Sequence, residues 1–253
     1  MVEEMVSNPD SPIHGIDPKI RILAAVILSV GAALSKHLYI LGFYLSISLL
    51  LIWAARLDPE NVYKRVRTLF LFLIMIWIIV PITFEGPELL SFGVIRITRP
   101  GVDLCVMITV KSVSIVLLFT ALIAPMPMAV LGAGLHRLYV PDKLVFLLLM
   151  SYRYIAVIEN EYTTLLRAAR FRGFVPGTNL HSYKTFAYLA GMLFVRASLR
   201  AQRVYQAMIC RGFNGKFHTL DVTPSNRLSS IFLAASVIAG GILAYFDFFR
   251  MGT

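Results

Sequence analysis

Leu166-Arg167-Ala168-Ala169-Arg170-Phe171-Arg172-Gly173-Phe174 and Tyr205-Gln206-Ala207-Met208-Ile209-Cys210-Arg211-Gly212-Phe213 align at a constant offset of 39 residues. Each run reads Ala, three residues, then Arg-Gly-Phe, and each closes a stretch free of Gly and Pro that carries apolar residues at helical spacing. The glycines therefore fall where helices should stop, since Gly accepts the left-handed conformation that closes a helix and a cation suits the negative end of the helix dipole. A capping role needs neither the Ala four residues before the Arg nor a matched pair. The two runs read instead as docking ends aimed at one partner.

Working outward, residues 141–172 make a helix of about 48 Å and residues 183–211 one of about 43 Å at the usual rise per residue. Gly173-Phe174-Val175-Pro176-Gly177-Thr178-Asn179 is the turn between them. Leu144–Ile158 is apolar but is interrupted by Arg153, and Phe186–Leu199 contains Arg196. Both stretches are short for a membrane span and read as halves of long amphipathic helices that graze the membrane. In the first helix, Leu144, Leu148, Ser151, Ile155, Ile158, Tyr162, Leu165 and Ala169 form the periodic stripe, with Glu159, Glu161, Arg167 and Arg170 on other faces. A shorter helix around Val130–Leu138 is expected before both.

The rest of the chain is membrane. Hydrophobic residues make up 58% of the 253, charged residues 15%, and mean hydropathy is +0.75, the composition of a polytopic membrane protein. Spans are expected at Ile22–Ser35, Leu38–Ala55, Leu69–Thr83, Leu104–Ala124 and Ile231–Phe249, with a small strand or turn at Val94–Thr98. The net charge of +10 sits almost wholly in residues 137–227, where 13 Lys/Arg minus 4 Asp/Glu leaves +9. That stretch marks the cytoplasmic side, as does the Arg56, Lys64, Arg65, Arg67 loop, which puts the N-terminus inside as well. The polar first nineteen residues, with Glu3, Glu4, Asp10 and Asp17, lack a basic start and a small-residue cleavage site, so no cleavable leader is expected. The expected fold is an all-α integral membrane protein of about five transmembrane helices plus two long and one short cytoplasmic amphipathic helices. Its segments are residues 1–19 as a polar lead-in, 20–125 as a four-span bundle, 126–227 as the cytoplasmic module and 228–253 as the final span.

Two charged residues and a small-residue stripe stand out within the spans. Lys111 is a functional candidate by default, set against the plain alternative that its stem reaches toward the interface near Asp103. Asp247 is expected at the outer interface. Ser236, Gly240 and Ala244 recur at helix-packing spacing, most simply for contact within this same chain.

A search for chemistry returns little. The nearest approach to a phosphate-cradling loop, Gly215-Lys216, is followed by Phe217 and has Cys210 where the first Gly should stand. His14, His37, His136, His181 and His218 are scattered without a paired-histidine spacing, and no acidic cluster could hold magnesium and diphosphate. Cys105 and Cys210 suggest neither a bridge nor a metal site. No cofactor, metal or catalytic residue is expected, nor a nucleic-acid surface, because the basic stretch lacks an aromatic platform and membrane topology explains its charge. The residues leave three classes standing: a mechanical subunit that offers arginines to a soluble partner, a self-sufficient carrier or channel that uses the Lys111 span, and a membrane enzyme with no residue to name.

The chain resembles the transmembrane T-component of energy-coupling factor importers, in particular the CbiQ-type subunit of cobalt and nickel uptake systems. The likeness runs from Asp10-Ser11-Pro12-Ile13-His14-Gly15-Ile16-Asp17-Pro18-Lys19 through Tyr152-Arg153-Tyr154 to the two Arg-Gly runs. Phe174-Val175-Pro176-Gly177-Thr178 and Arg203-Val204-Tyr205-Gln206-Ala207-Met208 are similar to the cobalt/nickel branch. The family carries Ala-Arg-Gly at each coupling-helix end; Arg172-Gly173 and Arg211-Gly212 match it, while Phe171 and Cys210 replace the Ala. The resemblance implies that Ala168, Ala169, Arg172 and Gly173 on one tip, and Ala207, Arg211 and Gly212 on the other, dock into grooves on two cytoplasmic ATP-binding-cassette ATPase subunits. ATP-driven closure of that pair would move the helices and, through their membrane-grazing halves, a separate substrate-binding membrane subunit. Substrate specificity would then lie outside this chain.

Overall fold

The computed structural model describes residues 15–84, 87–92, 95–213 and 227–249. The expected lead-in at 10–14, Val94, Gly215-Lys216-Phe217, the Thr223–Asn226 turn, His14, His218, Arg250 and the side chain of Ala244 lie outside them. Among the described residues the chain forms eight helices and one hairpin, divided into two compact units: residues 135–213, and residues 15–134 with 227–249.

The membrane unit holds α1 (Pro18–Leu34), α2 (Leu38–Ala55), α3 (Pro59–Thr83), β1 (Glu88–Phe92), β2 (Ile95–Thr98), α4 (Arg99–Leu122) and α8 (Arg227–Phe249). Four stretches are long and apolar enough to cross a membrane: Leu38–Ala55, Val62–Thr83, Arg99–Leu122 and Ser229–Asp247. The first expected span lies on α1, which is shorter at 17 residues and packs against α2, α4 and α8 while Val26, Val30 and Leu34 stay exposed. Its Ala24, Ala25 and Ala32 are fully buried, and with Leu28 they meet Ile40, Tyr44 and Leu51 of α2 and Leu118, Ala121 and Leu122 of α4. Small side chains let helices approach closely where hydrophobicity alone gives no driving force.

Polar groups fasten α1 at both ends. At its start the Asp17 carboxylate accepts from the Lys19 N–H, the Asp17 N–H donates to Ser229 Oγ at 3.1 Å, and buried Arg21 donates from Nε to the Leu122 carbonyl at 3.1 Å. At its end Lys111 Nζ donates to the Ala33 carbonyl at 2.9 Å, which satisfies one of the four acceptors a helix leaves open at its C-terminus. Asp247, expected at the outer interface, stands at the end of the last apolar stretch, Ser229–Asp247. It is buried, and both of its oxygens accept from the Lys36 N–H at 3.2 Å, so an acid on α8 secures the α1–α2 turn. The Ser236 and Gly240 part of the small-residue stripe packs within the chain, for a side chain at Gly240 would stand 3.3 Å from Ile27 of α1.

Several element starts differ from expectation: α7, expected from residue 183, begins at Leu180, and α4, expected from Leu104, at Arg99. The segment containing Lys64, Arg65 and Arg67 is helical, because Asp58-Pro59 opens α3 ten residues before the apolar run begins at Leu69. Val94–Thr98 is only half of its element: β2 pairs antiparallel with β1, Phe92 opposite Ile95 and Glu88 opposite Thr98, and runs straight into α4. Downstream, α4 ends at Leu122 before Pro125, and α5 (Met128–Arg137) follows.

The second unit is built from α6 (Asp142–Phe171) and α7 (Leu180–Cys210), joined by eight residues. Asn179 caps α7, its side chain accepting from the Ser182 N–H at 2.8 Å.

Candidate functional site

The two Arg-Gly runs close α6 and α7 with the same hydrogen bonds. After α6, the Gly173 N–H donates to the Arg170 carbonyl at 3.0 Å and the Phe174 N–H reaches back to Ala169 at 3.1 Å. After α7, the Gly212 N–H donates to Ile209 at 2.9 Å and the Phe213 N–H to Met208 at 3.0 Å. Both closures need a left-handed residue, and Gly173 and Gly212 supply it with φ of +82° and +79°. Arg172 and Arg211 stand immediately before, with φ, ψ of −88°, 13° and −91°, 10°. The sequence repeat is thus a structural repeat at the level of single backbone bonds.

Each Phe after the glycine then turns back onto the other helix. Phe174 lies against Phe186 of α7 at 5.5 Å between ring centroids, and Phe213 lies against Phe146 of α6 at 5.3 Å. The helices are therefore antiparallel, each tip beside the start of its neighbour. Arg172 is 26 residues beyond Phe146, so the tips stand apart by roughly 40 Å of helix. Arg172, Gly173, Arg211 and Gly212 are exposed, as are Ala168 and Ala207, while Ala169 is half-buried. The structure does not bring these residues into one patch. It presents two equivalent patches at opposite ends of one antiparallel pair, each a cation on an ordered turn beside a small residue. Such a patch suits carboxylates or helix-end carbonyls of a docking partner.

Midway between the tips, Glu161 of α6 pairs with Arg196 of α7 and, at 3.3 Å, with Arg200 one turn further on. The Arg196 hydrogen bond, aided by the charge of both guanidiniums, holds the Glu161 carboxyl below the usual carboxylate range. Sequence periodicity puts Glu161 on a face other than the apolar stripe, and it lies in the helix–helix contact. The signal that finds it is the repeat itself, since Glu161 plus 39 is Arg200. When a repeat folds about a local two-fold axis, the equivalent positions that touch are those on the axis. Phe186 likewise falls one residue past the equivalent of Phe146. Between the Phe146–Phe213 contact and the ion pair runs an apolar cleft of about 550 Å³, lined by Met150, Tyr154 and Ile158 on one side and Ala197, Ala201 and Val204 on the other.

Lys111 has its ammonium engaged on the Ala33 carbonyl. Cys105 is buried and Cys210 exposed, both as free thiols. Among the described residues no group of three or more His, Cys, Asp or Glu side chains stands together.

Residues 9–220 match the CbiQ family, described as cobalt transport protein. The chain is 26% identical over 231 residues to the energy-coupling factor transporter transmembrane protein EcfT of Listeria innocua, covering 85% of this chain and 87% of that one. It is 25% identical over 241 residues to an uncharacterized protein of Methanocaldococcus jannaschii, covering 93% and 82%. A shorter likeness, 31% over 91 residues and about a third of each chain, is to the nickel permease LarQ of Lactiplantibacillus plantarum.

Proposed function

The chain belongs to the CbiQ family of cobalt transport proteins, multi-pass membrane subunits of transporters, and from that premise we propose that it is the coupling subunit of an energy-coupling factor importer for cobalt or nickel ions. The observation that carries this reading is the pair of identically capped tips, Arg172-Gly173 and Arg211-Gly212, at opposite ends of α6 and α7. One tip would seat in each of two cytoplasmic ATP-binding-cassette subunits. The spacing of roughly 40 Å suits two separate receiving grooves better than one.

On this reading residues 126–227 and the N-terminus are cytoplasmic, and α1 completes a bundle of five membrane helices with α2, α3, α4 and α8. Leu144, Leu147, Tyr188 and Phe194 on α6 and α7 are exposed apolar side chains, suited to the bilayer surface and to a membrane substrate-binding subunit. ATP hydrolysis would belong to the partners, and this chain would convert their closure into movement of that subunit. The family description and the permease's name support cobalt or nickel as cargo. The carrier reading gains nothing from Lys111, whose ammonium caps α1.

The test is affinity purification of the chain from its membranes, unaltered and as an Arg172→Glu, Arg211→Glu double variant. The unaltered chain is expected to bring down ATPase and substrate-binding subunits, and the double variant to lose the ATPases and metal uptake. Normal assembly and uptake by the double variant would refute the assignment of the tips.

A further inference from the structure

The α6–α7 pair is held at three levels. The two phenylalanine contacts lie at its ends, 5.5 Å and 5.3 Å between ring centroids, and the Glu161 ion pair lies between them. Glu161 is 11 residues before Arg172, and Arg196 and Arg200 are 15 and 11 residues before Arg211, so the arms to the two tips are roughly 16 Å on α6 and roughly 16 to 22 Å on α7. One of the two halves so defined carries the open apolar cleft, so along it the helices do not interdigitate.

We propose that Glu161, with Arg196 and Arg200, is the fulcrum of the helix pair: a positioning site that fixes the point at which the two helices cross while the angle between them changes. Three features of the contact suit that task. First, it lies near the middle of the pair, where a rotation moves both tips by similar amounts and the contact itself least. Second, it is polar and partly wet, with the Arg196 and Arg200 side chains 46% and 44% exposed. Guanidiniums with unused donors can re-form a pair after a small rotation, whereas interlocked apolar side chains resist gradual displacement. Third, Arg196 and Arg200 stand about 6 Å apart along α7, so the carboxylate can shift its grip from one to the other without release. The cleft gives the helices room to close on one side of the contact.

The transport consequence rests on the coupling-subunit reading; the mechanical one does not, and the experiment separates them. In a Cys105→Ala background, spin labels on native Cys210 and on Phe171→Cys report the tip-to-tip distance of the chain alone in lipid nanodiscs. The expected result is one narrow distribution for the parent. It should broaden at least twofold in Glu161→Gln and further in Glu161→Arg, where like charges meet, and narrow again in Glu161→Arg, Arg196→Glu, Arg200→Glu. A distribution in Glu161→Gln and Glu161→Arg as narrow as the parent's would overturn the fulcrum.

In the full complex, Glu161→Gln is expected to retain its partners and ATP hydrolysis but to carry severalfold fewer ions per ATP. An unchanged ratio would overturn its role in coupling. Failure of the unaltered chain to recruit ATPases would strike at the coupling-subunit reading and leave the spin-label result standing.

Discussion

Replacing Gly173 or Gly212 by Ala tests how the tips are built. Both glycines hold φ near +80°, and a methyl added at either would meet nothing within 4 Å, so no steric clash contributes. The cost is the backbone alone, about 1–2 kcal/mol for an L-residue in the left-handed region. That cost falls on the two hydrogen bonds the glycine closes, from Gly173 to Arg170 and from Phe174 to Ala169, and their counterparts after α7. A shift of 1–2 kcal/mol multiplies the open population by roughly 5 to 30. Amide hydrogen exchange should therefore speed by that factor at Phe174 in Gly173→Ala and at Phe213 in Gly212→Ala, with residues near Glu161 unchanged. Asn tolerates the left-handed region better than Ala, so Gly→Asn should fall between the parent and Gly→Ala. Because Arg172 and Arg211 are ordered by these turns, ATPase binding should weaken in the same order. Equal exchange in parent and Ala variants, or an effect at one tip and none at the other, would refute the claim that the caps are equivalent and set by backbone conformation.

Two further predictions concern charge and packing. Glu161 has its folded pKa depressed, so its contribution is fully present above the unfolded carboxylate value of about 4.3 and is lost as pH falls through the lower folded value. The tip-to-tip distribution should accordingly hold from pH 8 to 5 and broaden only in stronger acid, as spin-label spectra across that range would record. In the membrane unit, a methyl at Gly31 would collide with the buried Tyr44 hydroxyl and come within 3.1 Å of its ring Cζ. Overpacking of this kind costs about 1–3 kcal/mol. Among the described residues the Tyr44 hydroxyl has no hydrogen-bond partner, so Tyr44→Phe should cost little alone and should restore part of the thermal stability lost in Gly31→Ala.

The helices were legible where the chain announces their ends. Gly173 and Gly212 stop α6 and α7 and Pro125 follows the end of α4, whereas Asn179, read as part of the turn, caps an α7 that begins three residues early. The start of α3 was announced too, by Asp58-Pro59, but basic residues between that signal and the apolar run argued for a loop. The role of the charged residues was not legible, for a physical reason. Lys111, Arg21 and Asp247 each bind backbone groups, at Ala33, Leu122 and Lys36, and a backbone partner leaves no mark on residue identity. Glu161 was hidden differently. Apolar periodicity locates an apolar stripe, and a polar contact at the crossing of two helices falls outside it by construction. The residues assigned to the tips followed from the 39-residue repeat; their placement at opposite ends required the helices to be seen antiparallel.

The Glu161–Arg200 contact also decides which helices can recognise one another. A residue at the centre of a two-fold arrangement faces its own counterpart, so two α6 helices paired in this way would set carboxylate against carboxylate, and two α7 helices guanidinium against guanidinium. Only the mixed pair is free of that repulsion. Between copies of the chain, a like pairing of these long helices would carry that repulsion.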